Sequence, residues 1–328
     1  MTRDTRSNSI IPRLPFSDDS RAVQWLISLL HYQALILNCY TRALWKKWNV
    51  FCEAANAFQN MTIREASHSK KRILVISISS YTNGWPVIQG SGTDWKIWGM
   101  LGMSWNFDVV ADTLPNADPN RYPTRENIRR YIQALLKENK EGDQFVIVYS
   151  GHGDTQGLVL ADGSHISPQE LRTWLVQPLK SGSTLWTFFD CCESSNFLGL
   201  PHIISYDDNQ GIRYQPSYAR SGRQDGWGTV ISIGSAAGPS GEMNLNDPAV
   251  PTPGLLVHCG PLAWTAYRFF CSELKDGEPP LLAKFWPSLK AVLTPRPGQE
   301  AQFTTSSILS KPLVLPMLRP LPLTSLFA

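Results

Sequence analysis

Two segments of this chain end an apolar run with polar residues able to do chemistry. The first, FVIVYSGHGD from Phe145 to Asp154, sets His152 between two glycines. The second, LWTFFDCCESSN from Leu185 to Asn196, sets Cys192 two residues after Asp190. An imidazole beside a thiol suits amide hydrolysis: the thiolate attacks, the imidazolium favours its formation, and the same ring protonates the leaving amine. The backbone N–H groups of Gly153 and Cys192 are candidate donors to the developing oxyanion, worth ~3 kcal/mol per donor in other enzymes. Taken alone, a buried cysteine is more often a small core hydrophobe and a histidine more often a structural hydrogen-bonding group. Both residues following matched strand ends is what makes the pair stand out.

Those segments need elements to position them. Ile73–Ser79, Phe107–Val110, Phe145–Tyr149, Leu158–Leu160, Leu185–Phe189 and Val230–Ile233 are short, mostly apolar and β-branched or aromatic, which predicts buried strands. Helical stretches fall between them at 94–103, 127–136 (with Thr124 as N-cap), 168–176 and 261–272. This alternation predicts an α/β fold, a mostly parallel sheet with helices on both faces. In such sheets functional groups collect at the carboxyl ends of strands. Forty positions separate His152 from Cys192, enough for a crossover that returns to a neighbouring strand. Period-two alternation then sets Ser150 with His152 and Asp190 with Cys192, so that an acid and a hydroxyl line a pocket suited to a basic side chain.

Composition narrows the field. Apolar residues are 42% and charged residues 17% of the 328, a globular profile, and a net charge of +3 argues against nucleic acid or an anionic membrane as partner. Six cysteines, none in CxxC spacing, predict neither a disulfide scaffold nor a metal site and suit a reducing cytoplasmic or nuclear setting. Residues 1–70 read as an N-terminal extension with a helical segment over 21–60. Ala22–Thr41 carries no formal charge, but Gln24, Ser28, His31, Gln33 and Asn38 interrupt it, which favours a packed helix over a membrane span. After residue 308 the chain is Pro- and Leu-rich, a tail over 309–328 that reads as loose or, alternatively, as a proline-rich partner motif.

The motifs together resemble those of the metacaspases, caspase-related peptidases of fungi, plants and protists. Tyr149-Ser-Gly-His-Gly153 resembles the family's histidine motif and Asp190-Cys-Cys192 its cysteine motif. Pro123-Thr-Arg-Glu-Asn-Ile128, Gly142-Asp143, Leu200-Pro201 and Gln89–Asp94 resemble further family segments, in order. The resemblance implies a caspase-like three-layer peptidase domain over 71–308, with His152 and Cys192 as the dyad. It also implies an S1 pocket of Asp94, Ser150 and Asp190 selecting Arg or Lys at P1, in protein or peptide substrates. No cofactor and no metal are expected, and a monomer is.

Departures from the pattern shape the remaining expectations. Glu193-Ser194-Ser195 replace the usual His-Ser-Gly after the cysteine. The acidic insertion after the histidine motif is missing, Pro168-Gln169 stand where two aspartates are usual, and Gly199 stands for an acid. Calcium prefers several carboxylates, so activity independent of calcium is expected. The polar stretch between Tyr206 and Trp227 reads as a mobile basic loop open to self-cleavage at Arg213, Arg220 or Arg223, or as a plain surface loop. The alternative to an active peptidase is a catalytically impaired scaffold, motivated by Glu193 and the lost acids.

Overall fold

The chain divides into two units, Met1–Met61 and Thr62–Ala328. The computed structural model describes residues 69–102, 104–114, 118–207, 211–217, 228–235, 243–244, 258–273, 278–293, 300–309, 312–316 and 318, all in the second unit. The expected helix over 21–60, the uncharged run Ala22–Thr41, and Arg220 and Arg223 lie outside the described residues. Among the described residues no helix is long and apolar enough to cross a membrane.

The first half alternates strand and helix: β1 (Lys71–Ser77), α1 (Ser91–Leu101), β2 (Asn106–Ala111), α2 (Arg125–Leu136) and β3 (Gln144–Ser150). A small antiparallel sheet follows, β4 (Gly153–Asp154), β5 (Gly157–Val159) and β6 (His165–Ile166). Then come α3 (Pro168–Leu171), which runs on as a π turn over Arg172–Val176, and β7 (Thr184–Asp190). The second half holds β8 (His202–Asp207), β9 (Gly211–Pro216), β10 (Thr229–Gly234), β11 (Met243–Asn244), β12 (His258–Cys259), α4 (Pro261–Arg268), α5 (Leu282–Leu293) and β13 (Gln302–Thr305).

Eight strands form the main sheet in the order β2-β1-β3-β7-β10-β13-β8-β9. Pairings from β2 through β10 are parallel, and those of β13, β8 and β9 are antiparallel. Strands β1, β3 and β7 are almost continuously buried, as expected of strands covered on both faces. On one face Leu74, Ile76, Phe145, Ile147, Leu185 and Phe189 pack with Ile128 and Ile132 of α2 and Leu171 of α3. On the other, Trp98 of α1 meets Phe188 of β7 with ring centroids 4.8 Å apart.

Sequence motifs away from His152 and Cys192 turn out to be joints. Asp143, wholly buried, accepts the N–H of Lys70 (2.6 Å) and of Lys140 (3.0 Å), tying the start of β1 to that of β3. Thr124 caps α2 through the N–H of Asn127, and the Asn127 side-chain amide donates to Pro119 and Tyr122 carbonyls.

Two expectations need correction. Arg213 is not in a loop: it lies in β9, paired with Ser205 of β8, and a backbone tied into a ladder is a poor protease substrate. The start of the proline-rich tail is not loose either. Leu282 N–H donates to Leu313 O, Leu315 N–H donates to Pro280 O, and Leu313, Leu315 and Leu318 are buried. Proline excludes helix there, but leucines spaced between prolines still bury their side chains.

Candidate active site

Strands β3 and β7 are neighbours and run in register, Ser150 opposite Asp190. His152 and Cys192 each follow two residues later, at the same carboxyl edge. β1 has β2 on one side and β3 on the other, so the strand order reverses between β1 and β3, where open α/β sheets form their binding crevices.

The Gly-His-Gly turn is tightly held. His152 N–H donates to the Tyr81 hydroxyl at 2.8 Å, and the Tyr149 hydroxyl lies 2.7 Å from both the His152 and Val159 carbonyl oxygens. A side chain at Gly151 would strike both phenols, with the Tyr149 oxygen 2.7 Å and the Tyr81 oxygen 2.9 Å from its Cβ. Burial pushes both phenols above their ordinary range, so they act as neutral hydroxyls. The His152 ring contacts both Tyr81 and Trp85, with centroids 4.8 Å from each. Its Nε2 is 2.8 Å from the Pro86 carbonyl. A carbonyl only accepts, so Nε2 carries the proton in this contact and Nδ1 is the nitrogen left for other chemistry.

Gly153 must be glycine: a Cβ there would come within 2.5 Å of the Cys192 carbonyl and 2.9 Å of the Cys191 Sγ. Val159 N–H donates to His152 O, which makes Gly153 and Leu158 a non-hydrogen-bonded pair. The Gly153 N–H therefore points away from β5, consistent with a role as an oxyanion donor.

The two adjacent cysteines have opposite surroundings. Cys191 is buried, and its thiol is pushed well above the usual range by desolvation, with the charge of Asp190 and the neighbouring Cys192 adding to the effect. Cys192 is half-exposed. Glu193 follows in the left-handed region at φ +50°.

The structure brings Asp94, Ser150 and Asp190 together on the α1 face of the sheet. The Ser150 hydroxyl donates to Asp94 Oδ2 at 2.6 Å and is 3.0 Å from Ser91 Oγ. Gly260 N–H donates to Asp94 Oδ1 (2.8 Å), while Leu262 and Ala263 N–H donate to Asp190 Oδ2 (2.8 and 3.3 Å). Asp190 thus caps α4 from another strand, where the exposed N–H groups favour an anion. A Cβ on Gly260 would meet Asp190 Oδ2 at 2.2 Å and Asp94 Oδ2 at 2.9 Å, so both acids converge on one glycine. The sequence pattern pointed to the acids but missed Tyr81, Trp85, Pro86 and Gly260. The nearest signal was Tyr81 and Trp85 in a Gly/Pro-punctuated loop just after the first strand.

The acids near the histidine motif are engaged with other groups of the fold. Asp154 accepts from Gln156 and Gly157 N–H and meets His165 Nε2 at 2.8 Å. Glu170 completes a capping box with Ser167 and pairs with Arg125, while Asp162 accepts from the N–H and hydroxyl of Ser164. Pro168 opens α3 at its first position, a place suited to proline, and Gly199 is left-handed at φ +56°. Among the described residues, no group of three or more His, Cys, Asp or Glu converges as metal ligands.

The site thus lies on a largely parallel α/β sheet, with a histidine and a cysteine just past adjacent strand tips. Residues 71–201 match the family model of the metacaspase peptidase C14 domain. The chain is 31% identical over 147 residues to Metacaspase-1 of Scheffersomyces stipitis, covering 40% of this chain and 36% of that protein. It is 31% identical over 143 residues to Metacaspase-1B of Aspergillus oryzae, covering 39% and 33%. The matched segments thus span about a third of the length of these relatives. A crystal structure of a Geobacter sulfurreducens protein shares the fold over 73% of this chain and 95% of its own, at TM-score 0.50 and 15% identity.

Proposed function

We propose that this domain is a cysteine endopeptidase that cleaves after Arg or Lys without calcium. The observation that carries the reading is the register of β3 and β7, which delivers His152 and Cys192 to one edge with Gly153 wedged against the Cys192 carbonyl. In the proposed reaction the Cys192 thiolate attacks the scissile carbonyl carbon. The Gly153 and Cys192 N–H groups receive the oxyanion. His152, its Nε2–H held by Pro86 O, gives the Nδ1 proton to the departing amine, and water then hydrolyses the thioester. Two carboxylates converging beside the nucleophile favour a cationic P1 side chain. Calcium independence follows from acids that are replaced or already engaged. We infer a monomer with protein or peptide substrates, and self-cleavage at Arg220 or Arg223 in place of Arg213.

The test is an assay of Arg-, Lys- and Asp-P1 fluorogenic peptides, with chelator and with calcium, alongside Cys192→Ala. Cleavage after Arg or Lys in chelator, lost in the variant, is expected. Turnover only after Asp, only with calcium, or surviving Cys192→Ala contradicts the reading. A second reading, an impaired scaffold, is favoured by Glu193 in its left-handed conformation beside the nucleophile. It predicts that an active-site thiol probe fails to label an accessible Cys192.

A further inference from the structure

We propose that Trp85, with Val87 beside it, forms the wall of a leaving-side subsite that selects a large apolar residue immediately after the cleaved bond (P1′). The inference rests on the peptidase reading above. It follows from where a general acid must stand. The proton from His152 goes to the scissile nitrogen, and that nitrogen belongs to the P1′ residue. The P1′ side chain branches one atom further on, so it lies against a flank of the imidazole.

That imidazole has two aromatic flanks. Tyr81 is turned into the fold: its hydroxyl receives the His152 N–H and its ring packs on the core. Trp85, followed by the exposed Pro86 and Val87, is half-exposed and 4.8 Å from the imidazole centroid at 40°. Pro86, between Trp85 and Val87, holds His152 Nε2, so the whole turn is tied to the general acid. Val87 leaves 63% of its surface open on that turn.

The wall is built in advance. Ile88 N–H donates to Ser79 O (2.9 Å) and the Ser79 hydroxyl to Ile88 O (2.6 Å), closing the neck of the loop. Thr82 N–H donates to Ala161 O, and Asn83 packs on Gly163, whose added Cβ would fall 1.9 Å from the Asn83 amide nitrogen. A loop pinned at its neck and flank presents its indole without an ordering cost at binding. An aliphatic or aromatic P1′ side chain gains contact with that face, whereas glycine gains none and an acid is desolvated without a partner.

The experiment uses internally quenched peptides with Arg at P1 and Leu, Phe, Gly or Asp at P1′. They are assayed on the wild-type chain, Trp85→Ala and Trp85→Phe. Leu and Phe are expected to exceed Gly in kcat/KM by ~10-fold, and Asp by more. Trp85→Ala should bring Leu and Gly within ~2-fold of each other, and Trp85→Phe should keep the preference. A flat P1′ profile in the wild type, or a preference that survives Trp85→Ala, overturns the subsite while leaving the peptidase reading intact. Cleavage of none of the peptides overturns both. Alkylation of Cys192 by a small neutral reagent, measured in each variant, separates lost selectivity from a displaced His152: an unchanged rate supports the subsite, and a rate that falls in step with cleavage of all four peptides overturns it.

Discussion

Residues 71–201 and residues 202–318 contribute to one sheet in different ways. The first stretch, the part that matches the family, supplies β1, β2, β3 and β7 in parallel and carries His152, Cys192, Asp94, Ser150 and Asp190. The second adds one more parallel strand, β10, then closes the sheet with antiparallel strands. Yet the second stretch is no bystander. Gly260 and the first turn of α4 grip both carboxylates of the site through three backbone N–H groups. The proposed nucleophile and general acid therefore belong to the first stretch, while the setting of the two carboxylates proposed to receive a cationic side chain depends on the second.

The sharpest way to break this division is at the cysteines. Cys192→Ala should reduce peptide cleavage by ~10⁴-fold or more, as expected when a nucleophile is removed. Cys191→Ala should leave most activity, because its thiol is buried and held protonated. A Cys191→Ala variant as dead as Cys192→Ala would contradict the assignment.

The next largest effect should come from outside the matched segment. Gly260→Ala places a methyl against Asp190 and Asp94, so urea unfolding should show a loss of about 1–3 kcal/mol from overpacking. Activity on Arg-P1 peptides should fall with it, through KM more than through the rate of Cys192 alkylation. Unchanged KM would mean that α4 does not shape the pocket.

A smaller, pH-dependent effect should appear at Asp112, just after β2. Burial holds its carboxyl above the ordinary range, and the N–H groups of Ser79 and Ser80 pull it only partway back. The folded chain thus binds this proton more tightly than the unfolded one. Between the ordinary carboxylate pKa, ~4, and the raised folded value, this group's contribution makes stability fall as pH rises. Asp112→Asn removes that contribution, so the variant should gain on the wild type in unfolding free energy as pH rises through the window. A gap that does not change with pH would contradict it. Least disruptive of all, Arg213→Gln should leave any self-cleavage pattern unaltered, as read by intact mass, because β9 is paired.

Much of this architecture was legible because buried parallel strands announce themselves. Ile73–Ser79, Phe145–Tyr149 and Leu185–Phe189 are almost wholly apolar runs, and the structure moves their ends by no more than two residues. β8 and β9 were not legible, since HIISYD and GIRYQP lie near the sheet edge with mixed polarity and gain their structure by pairing. α5 was hidden by Pro287, which sits inside it. At the site, spacing suggested His152 beside Cys192, but the grip of Tyr81, Pro86 and Gly260 depends on contacts across distant sequence, which no local pattern encodes.

The proposed function requires the two strand tips to make one reactive centre from His152 and Cys192. It is tested most directly with an irreversible inhibitor carrying Arg at P1 and an electrophilic ketone, followed by peptide mapping of the native protein in chelator. Stoichiometric modification of Cys192, abolished in His152→Ala and absent from Cys191, is the expected result. Modification of Cys191, or labelling of Cys192 at the same rate in His152→Ala, would contradict it.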